Sequence, residues 1–356
     1  MLHATRTPDG LRIGPMPPVP AHTALLETAG SLLVWDAADP VAPPTAAVWD
    51  PALAVDIAWQ VYGPGAVPVF LEQTGAFAPG PAPALEHARR AALATWAAAW
   101  WPASTLADVP PLDPRILSVE RADALVAVEH LLDGDELLLD VLADGLAAAR
   151  ALRLAPGIDS AVRPALAAHG ARVEEAAADR GVTTDSTAAV PAREDFALAA
   201  AARSAAGVLA EGTEPLDVSA FAPGTIDPAG SAHWRVLPGE TGVVLEVSAP
   251  RAPATSATDP EPLEAVFAGV ALTLRPERGR FAGSVATPAT ILLTPPAART
   301  LTLASPGYRG RRDVDAGALL ALARGRLDRA RGAALLETGI PDHGVLLAEQ
   351  EAVRRS

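Results

Sequence analysis

The stretch His87-Ala-Arg-Arg-Ala-Ala-Leu-Ala-Thr-Trp96-Ala-Ala-Ala-Trp100-Trp101-Pro102 sets the reading of the chain. Alanine has the highest intrinsic helix propensity, and proline disfavours helix at the residue before it, so one helix is predicted, ending near Trp101. Trp96 and Trp100 are four apart and share a face. Trp101 is turned about 100° away, so the indoles cover more than one direction around the helix end. Small alanine side chains let neighbouring elements come close, and the large rings fill the gaps. The first two-thirds of the chain is therefore expected to pack around this helix.

Composition supports a substantial core. Half of the 356 residues are apolar and one-fifth are charged, which argues against global disorder. This length reads as two or three domains. The 35 prolines cluster in the first 115 residues and between 215 and 306, where loops and turns are expected.

The absences exclude whole classes of chemistry. With no cysteine, disulfides, thiolate nucleophiles, cysteinyl zinc sites and cysteine-bound iron–sulfur clusters are ruled out. All 28 basic residues are arginine, so there is no P-loop lysine, Schiff-base lysine or kinase strand lysine. Asparagine is missing too, so left-handed turn positions fall mostly to glycine or aspartate. Such a bias is what a GC-rich bacterial coding sequence gives, and it is read as codon usage. A formal charge of −14 makes the molecule a poor non-specific partner for nucleic acid or anionic membrane. No signal peptide and no membrane span is read from the sequence, and a cytoplasmic protein is expected.

In chain order, Thr7-Pro-Asp-Gly10 marks a turn in a hairpin or extended arm. Leu33-Val-Trp-Asp36 and Ala47-Val-Trp-Asp50 read as two short strands, each ending in aspartate. Asp50-Pro51 looks like a cap and first helical residue, with the helix running to Gly63. Val67–Leu71 reads as a strand. Beyond the tryptophan helix, Asp113-Pro114 repeats the cap-then-proline start, Asp135 restarts a helix, and a third lies between Asp159 and Gly181. The short connections argue for antiparallel neighbours in a bundle. Residues 183–193 read as a linker and Glu194–Glu211 as a further helix.

From about 230 the apolar period shifts from 3.6 towards 2. Seven strands are predicted at 233–237, 243–247, 263–267, 270–274, 280–285, 290–294 and 299–303. Their number and spacing suggest an immunoglobulin-like antiparallel sandwich. Asp313–Thr338 follows as a long helix weakened by three glycines.

No nucleophile elbow, zinc-protease helix, EF-hand loop or dinucleotide fingerprint is present. The seven histidines (3, 22, 87, 130, 169, 233 and 343) include no pair three or four apart. Asp36 and Asp50 would form a carboxylate pair if their strands lay side by side; otherwise one ends a strand and the other caps a helix. The acidic knot Asp133, Asp135, Glu136 and Asp140 reads as a solvated turn. Residues 309–331 hold seven arginines against three aspartates. Arg324 and Arg331 share one helix face, and Arg326 and Arg329 lie on the other side. These arginines either pair with the protein's own carboxylates or dock an acidic partner or phosphate group.

The sequence thus predicts an α+β, multidomain protein. Its parts are a mixed α/β N-terminal region (1–84), a helical bundle (85–212), a β-sandwich (213–308) and a C-terminal helix and tail (309–356). The expected function is a non-catalytic adaptor or scaffold in a bacterial multi-protein system, needing no cofactor or metal. It would bind protein partners through the sandwich and the basic helix. One alternative is a metal-dependent hydrolase using Asp36, Asp50 and His87. The other is a binder of an anionic ligand through Arg309, Arg311, Arg312, Arg324 and Arg331.

Overall fold

The chain opens with a hairpin of β1 (Leu2–Thr7) and β2 (Gly10–Ile13), whose register pairs Thr7 with Gly10 around a two-residue turn. Gly10 has φ +133°, and a Cβ there would lie 2.1 Å from the Val48 carbonyl oxygen, so glycine is required. In this computed structural model the described residues are 1–17, 20–134, 136–155, 157–183, 207–239, 242–253, 260–295, 298–310, 314–333 and 344–355. They comprise eight helices and two antiparallel sheets. The chain divides into two compact units. The first is Met1–Trp101, Leu112–Asp185 and Ala321–Ser356; the second is Pro102–Pro111 and Ser186–Leu320.

In the first unit, β3 (Thr23–Thr28), β4 (Ser31–Asp36), β5 (Thr45–Val48) and β6 (Gly75–Phe77) complete a six-stranded sheet in the order β3-β4-β5-β2-β1-β6. Two helices lie between β5 and β6 in the chain, α1 (Val55–Tyr62) and α2 (Val67–Glu72). The second corrects the strand expected at Val67–Leu71. Pro68 sits in the first turn of α2, where its missing N–H costs nothing, and Gln73 ends the helix in the left-handed region at φ 56°.

The tryptophan stretch forms α3 (Leu85–Trp100), which packs on β3 and β4 and on the next helix. Buried residues lie all around it, as expected for an element with neighbours on several sides. Trp96 donates from Nε1 to the Ala21 carbonyl at 2.8 Å. Its aromatic partner is Trp101, met edge-on with ring centroids 6.4 Å apart, and not Trp100 as the spacing suggested. Trp101 lies just past the helix, with φ −59° and ψ 118°, so the chain leaves the helix after it.

Three further helices follow: α4 (Pro114–Ala127), α5 (Glu136–Arg153) and α6 (Arg163–Asp179). Consecutive members of α3–α6 pack on one another, and α4 also packs on α6. Asp113 caps α4 as expected, accepting from the Arg115 N–H at 2.9 Å.

In the second unit the strands are β7 (Ala210–Pro215), β8 (Ser231–Pro238), β9 (Val243–Pro250), β10 (Leu263–Phe267), β11 (Val270–Glu277), β12 (Arg280–Thr287) and β13 (Leu301–Ala304). They form one hydrogen-bonded sheet in the order β13-β10-β11-β12-β9-β8-β7. Strand β11 links its two halves: Val270–Leu274 pairs with β10, and Arg275–Glu277 with β12. Both halves share one core around Trp234, Phe267, Phe281 and Leu245, so the sheet closes over itself, nearly as a barrel. The strand expected at 290–294 is instead a 3₁₀ turn between Pro288 and Thr294, with Ile291 buried in that core. Most of the helix expected at 194–211 lies outside the described residues, and its end is part of β7.

The last helices are α7 (Ala316–Gly332), within which one unit boundary falls, and α8 (Leu347–Arg355). The expected C-terminal tail contributes α8. Residues 345–352 are all buried, including Glu349, Gln350 and Glu351.

Candidate functional site

Strands β4 and β5 do lie side by side, pairing Val34 with Thr45 and Ser31 with Val48. Because they run antiparallel, Asp36 and Asp50 lie at opposite ends of the pair. Asp36 closes a turn by accepting from the Ala38 N–H at 2.8 Å. Asp50 accepts from the N–H groups of Ala52 and Leu53, holding the turn before α1. The chain therefore does not gather these two carboxylates into one site. Among the described residues no cluster of three or more His, Asp or Glu side chains is set to hold a metal ion.

His87 belongs to a different constellation, a charged cluster between α3, α4 and α6. Asp123 (4% exposed) faces the fully buried His169, whose Nδ1 lies 2.5 Å from Oδ2. Arg172 reaches the same carboxylate through Nε at 2.6 Å and Nη2 at 2.9 Å. A carboxylate has no proton to give, so the Nδ1–H is assigned to His169 as donor. Burial by itself would raise the Asp123 carboxyl, but the hydrogen bonds from His169 and Arg172 outweigh it and hold the group down at about 2. Burial and the nearby Arg90 lower the His87 imidazole below its usual range. Arg90 is itself buried, and its Nη2 lies 3.9 Å from Glu86 Oε1.

Glu120 completes the cluster. It is fully buried, and its two oxygens accept the N–H groups of Leu347 and Ala348, at 2.7 and 3.1 Å, at the start of α8. Burial raises this carboxyl, with Arg90 and those backbone donors acting against the rise. The geometry describes a charged clamp on the last helix. With His169, Asp123 and Glu120 enclosed, it offers little surface to a substrate.

The arginines singled out from the sequence are divided. Arg309 is exposed in the second unit, and Arg311 and Arg312 lie outside the described residues. Arg324 and Arg331 belong to the first unit, where Arg331 is paired with Asp328. Arg326 is turned inward, only 2% exposed, and joined to Glu349. For Arg326 and Arg331, internal pairing describes what is seen.

A broad concave surface lies on the outer face of β7, β8, β9 and β12, with a volume of about 1050 Å³. Alternation along the strands sends Trp234, Val236, Leu245, Val247 and Phe281 into the core and the residues between them outward. The register lines these outward residues into two ladders. One runs Glu211–Arg235–Glu246–Ser284 and the other Thr213–His233–Ser248–Ala282. Arg235 donates to Glu246 at 2.8 Å. Small residues at 248 and 282–284 keep the floor low where β9 meets β12. Strand β7 ends the sheet, so its outer edge has no strand neighbour among the described residues. Gly212 makes β7 fit, since a Cβ there would lie 2.6 Å from the Trp234 ring.

Sequence reasoning found the strand pattern at 233–237, 243–247 and 280–285. It missed β7, and with it the ladders. It also missed Asp123, His169 and Arg172, which stand on two helices joined only by folding; the only local signal was His169 and Arg172 three apart on one helix. No protein-family model matches the chain, and neither a curated protein nor a solved structure matches it. Among the described residues no helix is long and apolar enough to cross a membrane.

Proposed function

We propose that this protein is a non-catalytic adaptor or scaffold, and that its β unit receives an extended polypeptide segment of a partner. The observation that carries this reading is the pair of polar ladders across β7, β8, β9 and β12, beside the edge of β7 that has no strand neighbour among the described residues. An extended peptide laid along such an edge gains main-chain hydrogen bonds from the strand. It gains specificity where alternate side chains meet the sheet face. The ladders present donors and acceptors of both signs, which suits side-chain recognition better than non-specific attraction to one charge. The charged cluster of the helices is enclosed and holds the chain's own last helix, which favours a structural role for it.

The test uses affinity capture followed by hydrogen exchange on the recovered complex. A partner should slow exchange in β7 and β8, and Ala282→Trp, which raises the floor of the concave face, should abolish capture. Equal capture by Ala282→Trp, or protection confined to other elements, would remove this reading. So would failure to capture any partner from a bacterial lysate.

A further inference from the structure

The first unit holds a cavity of about 170 Å³ bounded by Val119 of α4, Ala149 and Leu152 of α5, Ile158, and Leu166 and Gly170 of α6. All six residues are buried, and their side chains carry no polar atom. A dry cavity of comparable volume, about 150 Å³, accepts a benzene ring. The remaining lining residues, Arg153, Arg163 and Ala167, are exposed and mark the opening.

The opening is positive. Arg163 is the first residue of α6, which has no acidic residue in its first turn and no side-chain cap. The amide end of a helix carries partial positive charge that adds to such a guanidinium. Arg163 is steadied by one hydrogen bond, from Nη2 to the Ile158 carbonyl at 3.0 Å. Arg153, in the last turn of α5, pairs with Glu174 on a side chain that is 62% exposed, so the pair is open to competition from another carboxylate. Asp159, the nearby acid, is engaged elsewhere: Oδ1 accepts from the Ala161 N–H at 2.8 Å and lies 3.8 Å from Arg354.

We propose that this cavity binds a small monocarboxylate with an aromatic or branched apolar body. The body would fill the space between α4, α5 and α6, and the carboxylate would meet Arg163 and Arg153 at the opening. Enclosed apolar walls with a few polar groups at one end are the usual form of a small-molecule site.

Benzoate is the first probe, benzyl alcohol its uncharged counterpart, and acetate the charge without the body. Calorimetry on the full chain should show benzoate binding, with benzyl alcohol weaker by about tenfold or more and acetate not binding. Arg163→Gln, on an exposed side chain, should weaken benzoate by about tenfold and leave benzyl alcohol unchanged. Gly170→Leu, whose new Cβ meets only Ala149 at 3.5 Å, should fill the cavity and abolish both. Should Gly170→Leu not fold, Ala167→Trp at the exposed rim does the same by closing the opening. The proposal falls if acetate binds as well as benzoate, if the blocked variants still bind, or if benzoate shows no heat at about 10 mM.

Discussion

Replacing Arg326 by methionine removes the central cation of the last-helix contact. The Arg326 guanidinium donates to Glu349 at 2.5 and 2.9 Å, to the Ala37 carbonyl at 3.0 Å and to the Gly344 carbonyl at 3.1 Å. It also lies 5.6 Å from the centroid of the Trp96 ring. Both partners of the pair are at most 1% exposed, so water cannot compensate for the loss of either. Removing one partner of a buried pair costs about 3–5 kcal/mol because the other charge is left alone. For a unit of this size that lowers Tm by roughly 6–20 °C. Thermal and urea unfolding followed by tryptophan fluorescence reads both the loss and the change beside Trp96. Glu349→Leu should cost a similar amount, since it strands Arg326 and the Leu346 N–H that Oε2 accepts at 2.9 Å. The double variant should lose less than the two single losses combined, by about 1 kcal/mol or more. It should not return to wild type, because the Ala37 and Gly344 carbonyls stay without their donor. Additive losses would overturn this expectation, since they would mean that the two side chains stabilise the fold independently.

Other expectations follow from single positions. The hairpin between β10 and β11 turns through Ala268 and Gly269, at φ 48° and 83°, so Ala268→Asn should raise stability by about 0.5–1 kcal/mol in urea melts. Asp227, 1% exposed, accepts from Ser104 Oγ and from the N–H groups of Thr105, Leu106 and Ala229; Asp227→Ala should cost about 3 kcal/mol and speed exchange at those amides. The Asp123 carboxyl is lowered from 3.8 to about 2, so its stabilisation is present above pH 3.8 and is lost as pH falls through about 2. Acid titration of Asp123→Asn should lack roughly 2 kcal/mol of that slope. His87 has the opposite chemistry but the same sign. With its folded value below 6.5, stability falls as pH drops under 6.5, and His87→Gln should flatten the profile there.

Local chemistry explains what the sequence made legible. The alanine-rich run with Pro102 behind it specified α3, Asp113-Pro114 specified the start of α4, and alternation along 263–267 and 270–274 specified a hairpin. In each case the deciding interaction lies within a few residues. Where the deciding partner was distant, the pattern was silent or misleading. The indole of Trp96 met that of Trp101, five residues on. Of the apolar run at 290–294, Ile291 is buried but the strand did not form, and Leu293 is exposed. The tail at 345–352 carries three polar residues in succession, and partners brought together by folding make that burial tolerable: Arg326 for Glu349, the Ala333 carbonyl for Gln350 and the Asp159 N–H for Glu351, with Glu120 accepting from the start of α8. Residue type and spacing thus determined most of the helices and strands. Which charges were enclosed, which face of the β unit stayed open, and where an apolar cavity remained were decided by tertiary packing. Those properties depend on which side chains meet across long separations, and no short window of sequence contains that information.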